Sequence, residues 1–283
     1  MVKNKTGDWL LEKKAGSLYL SCPALNALGW VTHGFSTRAD LSGADMNMGL
    51  HMGDDPLKVV RNRRSFLRGL HLDPASLVAA AQVHGINMAV VDGTKRGAGA
   101  AAYDTALPAT DALLTADPEV VLSVLTADCV PLLLADPVRR AVAVVHAGWR
   151  GAAADIPRRT LEMMCHAFGT DPGDVLAAIG PAIGPCCYEV GTDVADGLPP
   201  AVRPLVLQGH GNGRFQLNLP RLISWSLENG GMLPGKIYHS GQCTACRGDL
   251  YYSYRREGGS AGRMMAVIGA TNAAPMAGLT SEV

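Results

Sequence analysis

A cysteine and a histidine flank the clearest structural motif in this 283-residue sequence. The apolar runs VPLLLAD (130–136) and AVAVVH (141–146) are joined by a short Asp-Pro turn, a pattern that predicts a β-hairpin. If the turn is centred near residues 137–138, Cys129 and His146 lie directly opposite each other on one face of the hairpin. A thiol and an imidazole placed in this way can share a metal ion, or they can act as nucleophile and base.

The segments around the hairpin must position these two side chains. The run VVLSVLT (120–126) predicts a buried strand just before Cys129. After His146, the sequence Ala-Gly-Trp-Arg-Gly is a glycine-flanked turn whose backbone N–H groups can hold an anion such as phosphate. Helical spacing of apolar residues then predicts a helix that begins near Asp155, its N-cap, and ends at Gly169.

A further histidine, His84, interrupts the apolar segment AAAQVHGINMAVV. Its flanks resemble two strands, which predicts that the His-Gly pair forms a turn or a bulge. Spacing alone does not place His84 beside Cys129. The Gly/Ala-rich stretch 93–102 is predicted to be a surface loop, and the tail after Ala270 has no periodicity and is predicted to be frayed.

Composition narrows the class of protein. The chain has 25 basic and 25 acidic residues and is 48% hydrophobic, which excludes a disordered chain and gives no net attraction to nucleic acid or anionic lipid. Seven cysteines, an odd number at low density, do not indicate a secreted disulfide framework. The first twenty residues lack the apolar core of a signal peptide, so we expect a cytoplasmic protein without a nucleic-acid or membrane partner. The oligomeric state is left open by the sequence.

Eight sequence blocks resemble a known family and occur in the order found there. They are THGFSTR (32–38), MNMGLHMGDDP (46–56), VVRNRR (59–64), QVHG (82–85), TADCVPLLLAD (126–136), VHAGWRG (145–151), GPAIGPCCYEVG (180–191) and YYSYRREGGSAGR (251–263). On these blocks the chain is similar to the YfiH/laccase-domain family, also described as multicopper polyphenol oxidase-like proteins, peptidoglycan editing factors and FAMIN-type purine nucleoside phosphorylases. The resemblance runs from about residue 32 to residue 269.

The resemblance implies a single α/β domain over residues 1–283, of the α+β kind, with mixed sheets in a layered α/β/β/α arrangement distantly similar to bacterial toxin deamidases. It also implies one zinc ion held by His84, Cys129 and His146. Three protein ligands with an open fourth position are typical of a catalytic zinc rather than a structural one. Eight histidines without an H-x-H pair argue against the many-histidine cluster of a multicopper oxidase.

The implied activity is phosphorolysis of purine nucleosides, including methylthioadenosine, with inorganic phosphate as co-substrate. The resemblance also implies hydrolytic deamination of adenosine, for which zinc supplies an activated water. Phosphate binding requires arginines and backbone N–H groups. The candidates inside the family blocks are Arg38, Arg63, Arg150, Arg255 and Arg263. Asn47 and Gln82 are candidates for orienting ribose or base, and Asp128 and Glu189 are candidates for moving protons.

Two alternative functions and one further motif remain open. Cys129 as nucleophile with His146 as base would make a Cys–His amide hydrolase, for which a peptidoglycan precursor is the substrate that the family name suggests. A non-enzymatic partner protein with a vestigial site is the other alternative. Cys243 and Cys246 have C-x-x-C spacing. The adjacent Cys186 and Cys187 suit tetrahedral chelation poorly, which favours reduced, non-catalytic thiols over the alternatives of a second metal or a disulfide.

Overall fold

Strands and short helices alternate along residues 9–271, the part of the chain that the computed structural model describes. The predicted frayed tail therefore lies almost wholly outside the described residues. The strands are β1 (Leu10–Lys14), β2 (Ser17–Ser21), β3 (Val31–Ser36), β4 (Leu77–Val78), β5 (Met88–Val90), β6 (Ala112–Thr115), β7 (Val121–Thr126), β8 (Val130–Asp136), β9 (Ala141–Ala147), β10 (Leu176–Ile179), β11 (Glu189–Val190), β12 (Leu207–Gly211), β13 (Arg214–Leu217), β14 (Ile237–His239) and β15 (Met264–Ala270). The helices are α1 (Pro23–Asn26), α2 (Pro56–Gly69), α3 (Trp149–Ala153), α4 (Ile156–Phe168), α5 (Thr192–Gly197), α6 (Arg203–Val206), α7 (Leu219–Asn229) and α8 (Tyr254–Glu257).

Two six-stranded mixed sheets form the centre of the protein. The first has the strand order β1-β2-β3-β15-β7-β4, and the second has the order β14-β10-β8-β9-β6-β5. Most neighbours are antiparallel, whereas β4 runs parallel to β7, β5 to β6 and β14 to β10. A small third sheet has the order β11-β13-β12. The mixed sheets that the resemblance implied are therefore confirmed.

The two large sheets stack face to face over an apolar layer. Leu133 and Val144 of the second sheet meet Leu122 and Ile268 of the first in one buried cluster. Side chains alternate along a strand, so the neighbouring residues of β8 and β9 point to the opposite face. Because both faces are covered, all seven residues of β8 and all seven of β9 are buried. This explains why both strands are continuous apolar runs in the sequence.

Helices cover the two outer faces. On the first sheet, Phe66 and Leu67 of α2 pack into a buried cluster with Val267 of β15. On the second sheet, Ile156 of α4 and Leu222 of α7 lie in a cluster with residues of β8 and β9. Each fully buried aliphatic or aromatic side chain contributes about 1.5–3 kcal/mol. The order of layers is helix, sheet, sheet, helix, so the predicted α/β/β/α arrangement is confirmed.

The predicted hairpin is present, but its register differs from the prediction by two residues. Pro131, rather than Cys129, lies opposite His146. The reason is the turn, which occupies residues 137–140 and is stabilised by the Asp136 carboxylate accepting the N–H groups of Val138 and Arg139. A shift of two keeps the alternation of faces, so Cys129, just before β8, stays on the side of His146.

The helix predicted to begin near Asp155 is α4, and the separate short helix α3 precedes it. Asp155, between the two helices, has a left-handed backbone φ of 68°. Asp155 is the N-cap residue of α4 as predicted, but its carboxylate does not cap the helix backbone and instead accepts from the side chains of Arg158 and Ser226. Gly169 ends α4 as predicted, in the left-handed conformation that glycine adopts without steric cost. Among residues 9–271, none of the helices has the length and apolar character needed to cross a bilayer.

Candidate metal centre and active site

Three side chains from separate segments converge at one end of the second sheet. His84 lies in the loop before β5, Cys129 just precedes β8, and His146 is the next-to-last residue of β9. One ligand atom from each lies within 4.8 Å of the other two. The two imidazole rings meet edge to face, with 4.7 Å between their centroids. A thiolate with two imidazoles is a donor set that zinc prefers.

Asp111 fixes the orientation of His146. Strands β6 and β9 pair with Ala112 opposite Val145, so Asp111 faces His146 across the ladder. The backbone N–H of His146 donates to the carbonyl of Asp111, and its Nδ1 lies 2.8 Å from the buried Asp111 carboxylate. Because Nδ1 is engaged, Nε2 is the nitrogen left to bind a metal. Metal-binding histidines commonly have such a carboxylate partner.

The same carboxylate also holds the loop that carries His84. Asp111 accepts the backbone N–H groups of Val83, His84 and Gly85 at 3.2, 3.0 and 2.8 Å. His84 has a left-handed φ of 60°, which is uncommon for a residue other than glycine. The prediction of a turn at His84 is thereby confirmed, although the residues just before it form an irregular segment rather than a strand.

Electrostatics within this group favour a thiolate. Burial alone would raise the pKa of the Cys129 thiol, but the adjacent imidazoles of His146 and His84 lower it well below its usual range. Burial would likewise lower the pKa of His146, but the negative charges of Cys129 and Asp111 raise it. Hydrogen bonds from His146 and Gly85 keep the pKa of Asp111 low despite its burial. Cys129 is therefore in the form that ligates metals.

Gly148 leaves the room that these three side chains occupy. A Cβ atom at this position would lie 2.9 Å from Cδ2 of His84 and 3.1 Å from Sγ of Cys129. Both contacts are closer than normal van der Waals packing, whereas the backbone φ of −74° would accept any residue. The glycine after His-Ala is thus required by the close approach of the thiol and the imidazole.

A cavity of about 260 Å³ opens beside Cys129. This volume is close to the lower end of the range for small-molecule sites. Its lining residues are Ala127, Asp128, Cys129, Ile183, Tyr188, Leu219, Tyr254 and Arg255. Arg255 lies over the Tyr188 ring and donates to the carbonyl of Glu189. The cavity thus combines a potential nucleophile or ligand, two aromatic rings and a guanidinium group.

Asp128 is buried at this cavity with a left-handed φ of 91°. One carboxylate oxygen accepts the Thr244 hydroxyl at 2.6 Å, and the other accepts the backbone N–H of Arg255 at 2.6 Å. Both oxygens are engaged in holding neighbouring segments. Glu189 is exposed and pairs loosely with Arg214, at 4.0 Å. These contacts give Asp128 a positioning role and leave Glu189 outside the residues that line the cavity.

Two of the other predicted arginines lie on the side of the metal centre. Arg150, in the first turn of α3, is exposed, stacks on Trp149 and contributes to the positive field at Tyr188. Burial lowers the pKa of Arg263, while the negative charges of Cys129 and Asp128 oppose that change. Both guanidinium groups are thus within electrostatic reach of the cavity.

The structure places Arg63 and Asn47 in the scaffold. The buried Arg63 guanidinium donates to the carbonyls of Met48, Gly99 and Ala100. The Asn47 side-chain oxygen accepts the backbone N–H groups of Gly49 and Arg263. These contacts hold loops together, and a contact of either residue with phosphate or ribose stays a prediction.

Gln82 and Arg38 also make contacts that hold the fold together. The Gln82 side-chain amide donates to and accepts from the backbone of Leu125, at 2.8 and 2.7 Å, and so extends the pairing at the end of β7. Arg38 forms an ion pair with Glu257 at 2.8 Å and stacks on Tyr252. Both are residues of the family blocks that stabilise the fold around the site.

Asp111 is the residue of the site that sequence reasoning missed. It stands in an ordinary Thr-Asp-Ala context before a short apolar run, and no motif marks it. Only the pairing of β6 with β9 brings it to His146, 35 residues further along the chain. The one signal in the sequence was an acidic residue directly before an apolar run, since such a residue is buried with the strand and then needs a partner.

Comparison with known proteins identifies the family of this chain. Residues 32–271 match the family model described as multi-copper polyphenol oxidoreductase laccase. The chain belongs to this family. A relative named purine nucleoside phosphorylase YlmD, from Geobacillus stearothermophilus, is 39% identical over 229 residues, covering 80% of this chain and 84% of the relative. Adenosine deaminase RL5, from an unknown prokaryotic organism, is 32% identical and covers 81% of this chain and 89% of the relative.

Solved structures of the laccase family share the fold. The crystal structure of YlmD from Geobacillus stearothermophilus has a TM-score of 0.85 and 34% identity, with 93% of this chain and all of the other covered. The Bacillus licheniformis hypothetical protein YfiH gives a TM-score of 0.86 and 36% identity, covering 93% of this chain and 99% of the other. This agreement confirms the mixed α/β single-domain fold of the YfiH type.

Proposed function

We propose that this protein is a zinc-dependent purine nucleoside phosphorylase that also deaminates adenosine. The observation that carries the proposal is the convergence of His84, Cys129 and His146 beside a cavity with two tyrosines and an arginine. The names of the relatives supply the substrate class, because they include purine nucleoside phosphorylases and an adenosine deaminase.

The three ligand residues fit zinc by the chemistry of their donor atoms. Cys129 has a depressed thiol pKa, and the Nδ1 atom of His146 is held by Asp111, so that Nε2 faces inward. Three protein ligands leave a position for a reactant. When bound there, zinc supplies a Lewis acid and an activated water, which is the chemistry required for hydrolytic deamination.

Phosphorolysis in this cavity depends on arginines of the chain. Phosphate attacks C1′ of the nucleoside while the purine departs, so the phosphate must be bound and oriented next to the sugar. Arg255 lines the cavity, and Arg150 and Arg263 are within electrostatic reach of it. We assign phosphate binding to these three guanidinium groups, because guanidinium forms strong bidentate hydrogen bonds with phosphate.

The aromatic residues of the cavity are assigned to the purine. Tyr188 is half-buried and Tyr254 is exposed, and both rings line the space next to Cys129. Stacking of a nucleobase on an aromatic ring contributes about 1–3 kcal/mol and does not depend on which base is bound. This is consistent with several purine nucleosides as substrates.

The test is an assay of purified protein with each nucleoside, with and without phosphate, combined with a zinc measurement. With inosine, release of free hypoxanthine requires phosphate. With adenosine, conversion to inosine proceeds without phosphate. Replacing His84, Cys129 or His146 by alanine is expected to remove one zinc ion per chain and to lower both rates by more than about 100-fold, since even outer partners of metal ligands contribute about 10–100-fold.

His210→Ala is the matched control, because His210 is exposed on β12 and away from the three ligands. It is expected to keep the zinc and both activities. If His84→Ala loses one zinc ion per chain but the unmodified protein releases no base from any purine nucleoside, the proposed activity is refuted and the metal centre stands.

A second candidate is favoured by one specific observation. Cys129, His146 and Asp111 form a thiol–imidazole–carboxylate chain, the arrangement of a Cys–His hydrolase in which the carboxylate orients the base. In this reading the protein cleaves an amide bond of a peptidoglycan precursor. Zinc-free protein distinguishes the two candidates, because a hydrolase retains its activity after chelation and loses it when Cys129 is alkylated. The zinc enzyme instead loses activity on chelation and regains it with added zinc.

A further inference from the structure

A second group of potential metal ligands lies apart from the site described above. Four cysteines, Cys186, Cys187, Cys243 and Cys246, place their sulfur atoms within 4.8 Å of one another. The Sγ atom of Cys246 lies 3.6 Å from that of Cys186 and 3.4 Å from that of Cys187. The proposed function uses none of these residues.

The fold brings the two cysteine pairs together from distant parts of the sequence. A parallel bridge joins Ala182 to Cys243, and the N–H of Thr244 donates to the carbonyl of Ala182. Cys186 and Cys187 lie in a turn closed by the N–H groups of Cys187 and Tyr188 on the carbonyl of Gly184. The turn directs two adjacent thiols to one side, so the adjacency does not prevent convergence.

The sulfur spacing matches a tetrahedral four-thiolate site. With a zinc–sulfur distance of about 2.3 Å, the sulfur atoms of a tetrahedron are about 3.8 Å apart. The distances of 3.4 and 3.6 Å are close to that value. In a disulfide the two sulfurs are about 2.05 Å apart. All seven cysteines are free thiols in this structure.

The surroundings also suit a thiolate cluster. The backbone N–H of Gly184 donates to Sγ of Cys243 at 3.2 Å. Arg256 donates to the carbonyls of Thr244 and Ala245, between the two cysteines of the C-x-x-C segment, and so fixes that turn. Cys186 and Cys246 are exposed, and a cavity of about 210 Å³ borders Cys186 and Cys243, which gives an ion a path to the site.

We propose that Cys186, Cys187, Cys243 and Cys246 bind a second zinc ion with a structural role. A four-cysteine set leaves no open position, which is typical of a structural zinc. One of the two segments it joins lines the substrate cavity through Ile183 and Tyr188, and the other contacts Asp128 of the cavity. The N–H of Ile183 donates to the carbonyl of Asp128, and the hydroxyl of Thr244 donates to its carboxylate. The ion therefore ties together the segments that hold Asp128 next to Cys129.

The test is the zinc content of the full chain, purified with reductant from zinc-supplemented cells. Cys246→Ser is expected to contain one zinc ion per chain fewer than the unmodified protein and to melt at a lower temperature. Cys165→Ser is the control, since Cys165 lies on α4 outside both groups of ligands. It is expected to keep the full zinc content. Equal zinc in the unmodified protein and Cys246→Ser would overturn the proposal.

Thiol alkylation of the unmodified protein gives an answer even if the variant does not fold. With zinc bound, the four cysteines are expected to resist alkylation by iodoacetamide, and a chelator is expected to expose them, as located by peptide mass spectrometry. Equal labelling with and without the chelator would contradict a metal site, and so would protection by a disulfide, which lowers the intact mass. His84→Ala tests the other centre separately, because its zinc loss is independent of the cysteine cluster.

Discussion

The carboxylate of Asp111 lies 2.8 Å from Nδ1 of His146, and the same carboxylate accepts the backbone N–H groups of the His84 loop. Two of the three proposed ligand residues are thus positioned by one buried acidic side chain. This arrangement fixes both the orientation of the His146 ring and the left-handed turn at His84. The first prediction follows from it.

Asp111→Asn is expected to weaken zinc binding by about 10–100-fold, because the amide holds the His146 imidazole less well than a carboxylate does. Zinc affinity, measured by competition with a chromophoric chelator, is the readout, and kcat/KM is expected to fall in parallel at limiting zinc. The control is Asp104→Asn, since Asp104 is exposed in the loop before β6. Unchanged zinc affinity in Asp111→Asn would show that the contact does not support the metal centre.

Gly148→Ala is expected to impair the metal centre while leaving the fold intact. The added methyl group would contact His84 and Cys129 at about 3 Å, whereas its backbone conformation is permitted. We expect lower zinc content and at least about tenfold lower activity, since the displacement of a ligand costs about as much as the loss of its outer partner. Gly235→Ala is the matched control, because a Cβ there meets nothing within 4 Å. A fully active Gly148→Ala protein would contradict the close packing of the ligands.

Arg255→Met is expected to raise the KM for phosphate by about 10–100-fold. The reason is the loss of a charge-assisted hydrogen bond, which contributes about 1.5–3 kcal/mol. Because the purine is assigned to the tyrosines, the deamination of adenosine in the absence of phosphate is expected to change much less. Steady-state kinetics of both reactions provide the comparison. Arg61→Met, an exposed arginine of α2, is the control. Equal damage to both reactions would assign Arg255 to the nucleoside or to the scaffold instead.

His33 is expected to make stability depend on pH. Complete burial lowers the pKa of His33 to about 3, and its Nε2 accepts the backbone N–H of Cys22 at 2.8 Å. The unfolded chain has the ordinary histidine pKa of about 6.5, so it binds a proton that the folded protein does not. The stabilising effect is complete above pH 6.5, and the free energy of unfolding falls by about 1.4 kcal/mol per pH unit as the pH decreases from about 6.5 toward 3.

Denaturant unfolding at pH 7.5, 6 and 5 tests this expectation. The comparison protein is His33→Gln, whose amide oxygen can accept the same N–H and which does not titrate. Other histidines contribute equally to both proteins, so the difference between the two curves isolates His33. Parallel curves for the two proteins would show that His33 has the same pKa in the folded and the unfolded protein, which would contradict the expectation.

Local sequence patterns predicted the individual strands and helices better than they predicted the register in which the strands pair. The hairpin and the glycine that ends α4 could be predicted from residues close together in the chain. The register was wrong by two because it depends on a turn whose length is set by the side-chain hydrogen bonds of Asp136. The layered arrangement followed from the resemblance, since apolar runs do not reveal which strands pair.

The centre of the site was predictable only in part, for a related reason. His84, Cys129 and His146 stand in recognisable blocks, whereas Asp111 depends on the pairing of β6 with β9. Arg63 and Gln82 stand in equally recognisable blocks, yet their polar groups hydrogen-bond to backbone of the fold. A motif shows that a residue matters, but its hydrogen bonds show whether it serves the reaction or the scaffold.

The burial of β9 limits how far His146 can move in the proposed metal site. The strand that ends in His146 is clamped between two apolar layers along its whole length. Its imidazole therefore has little freedom to adjust its position to metal ions of different size. The conformational entropy of this side chain is lost during folding rather than during metal binding. In the proposed zinc site, selectivity for the ion would therefore rest on the rigidity of the protein interior as well as on the choice of sulfur and nitrogen.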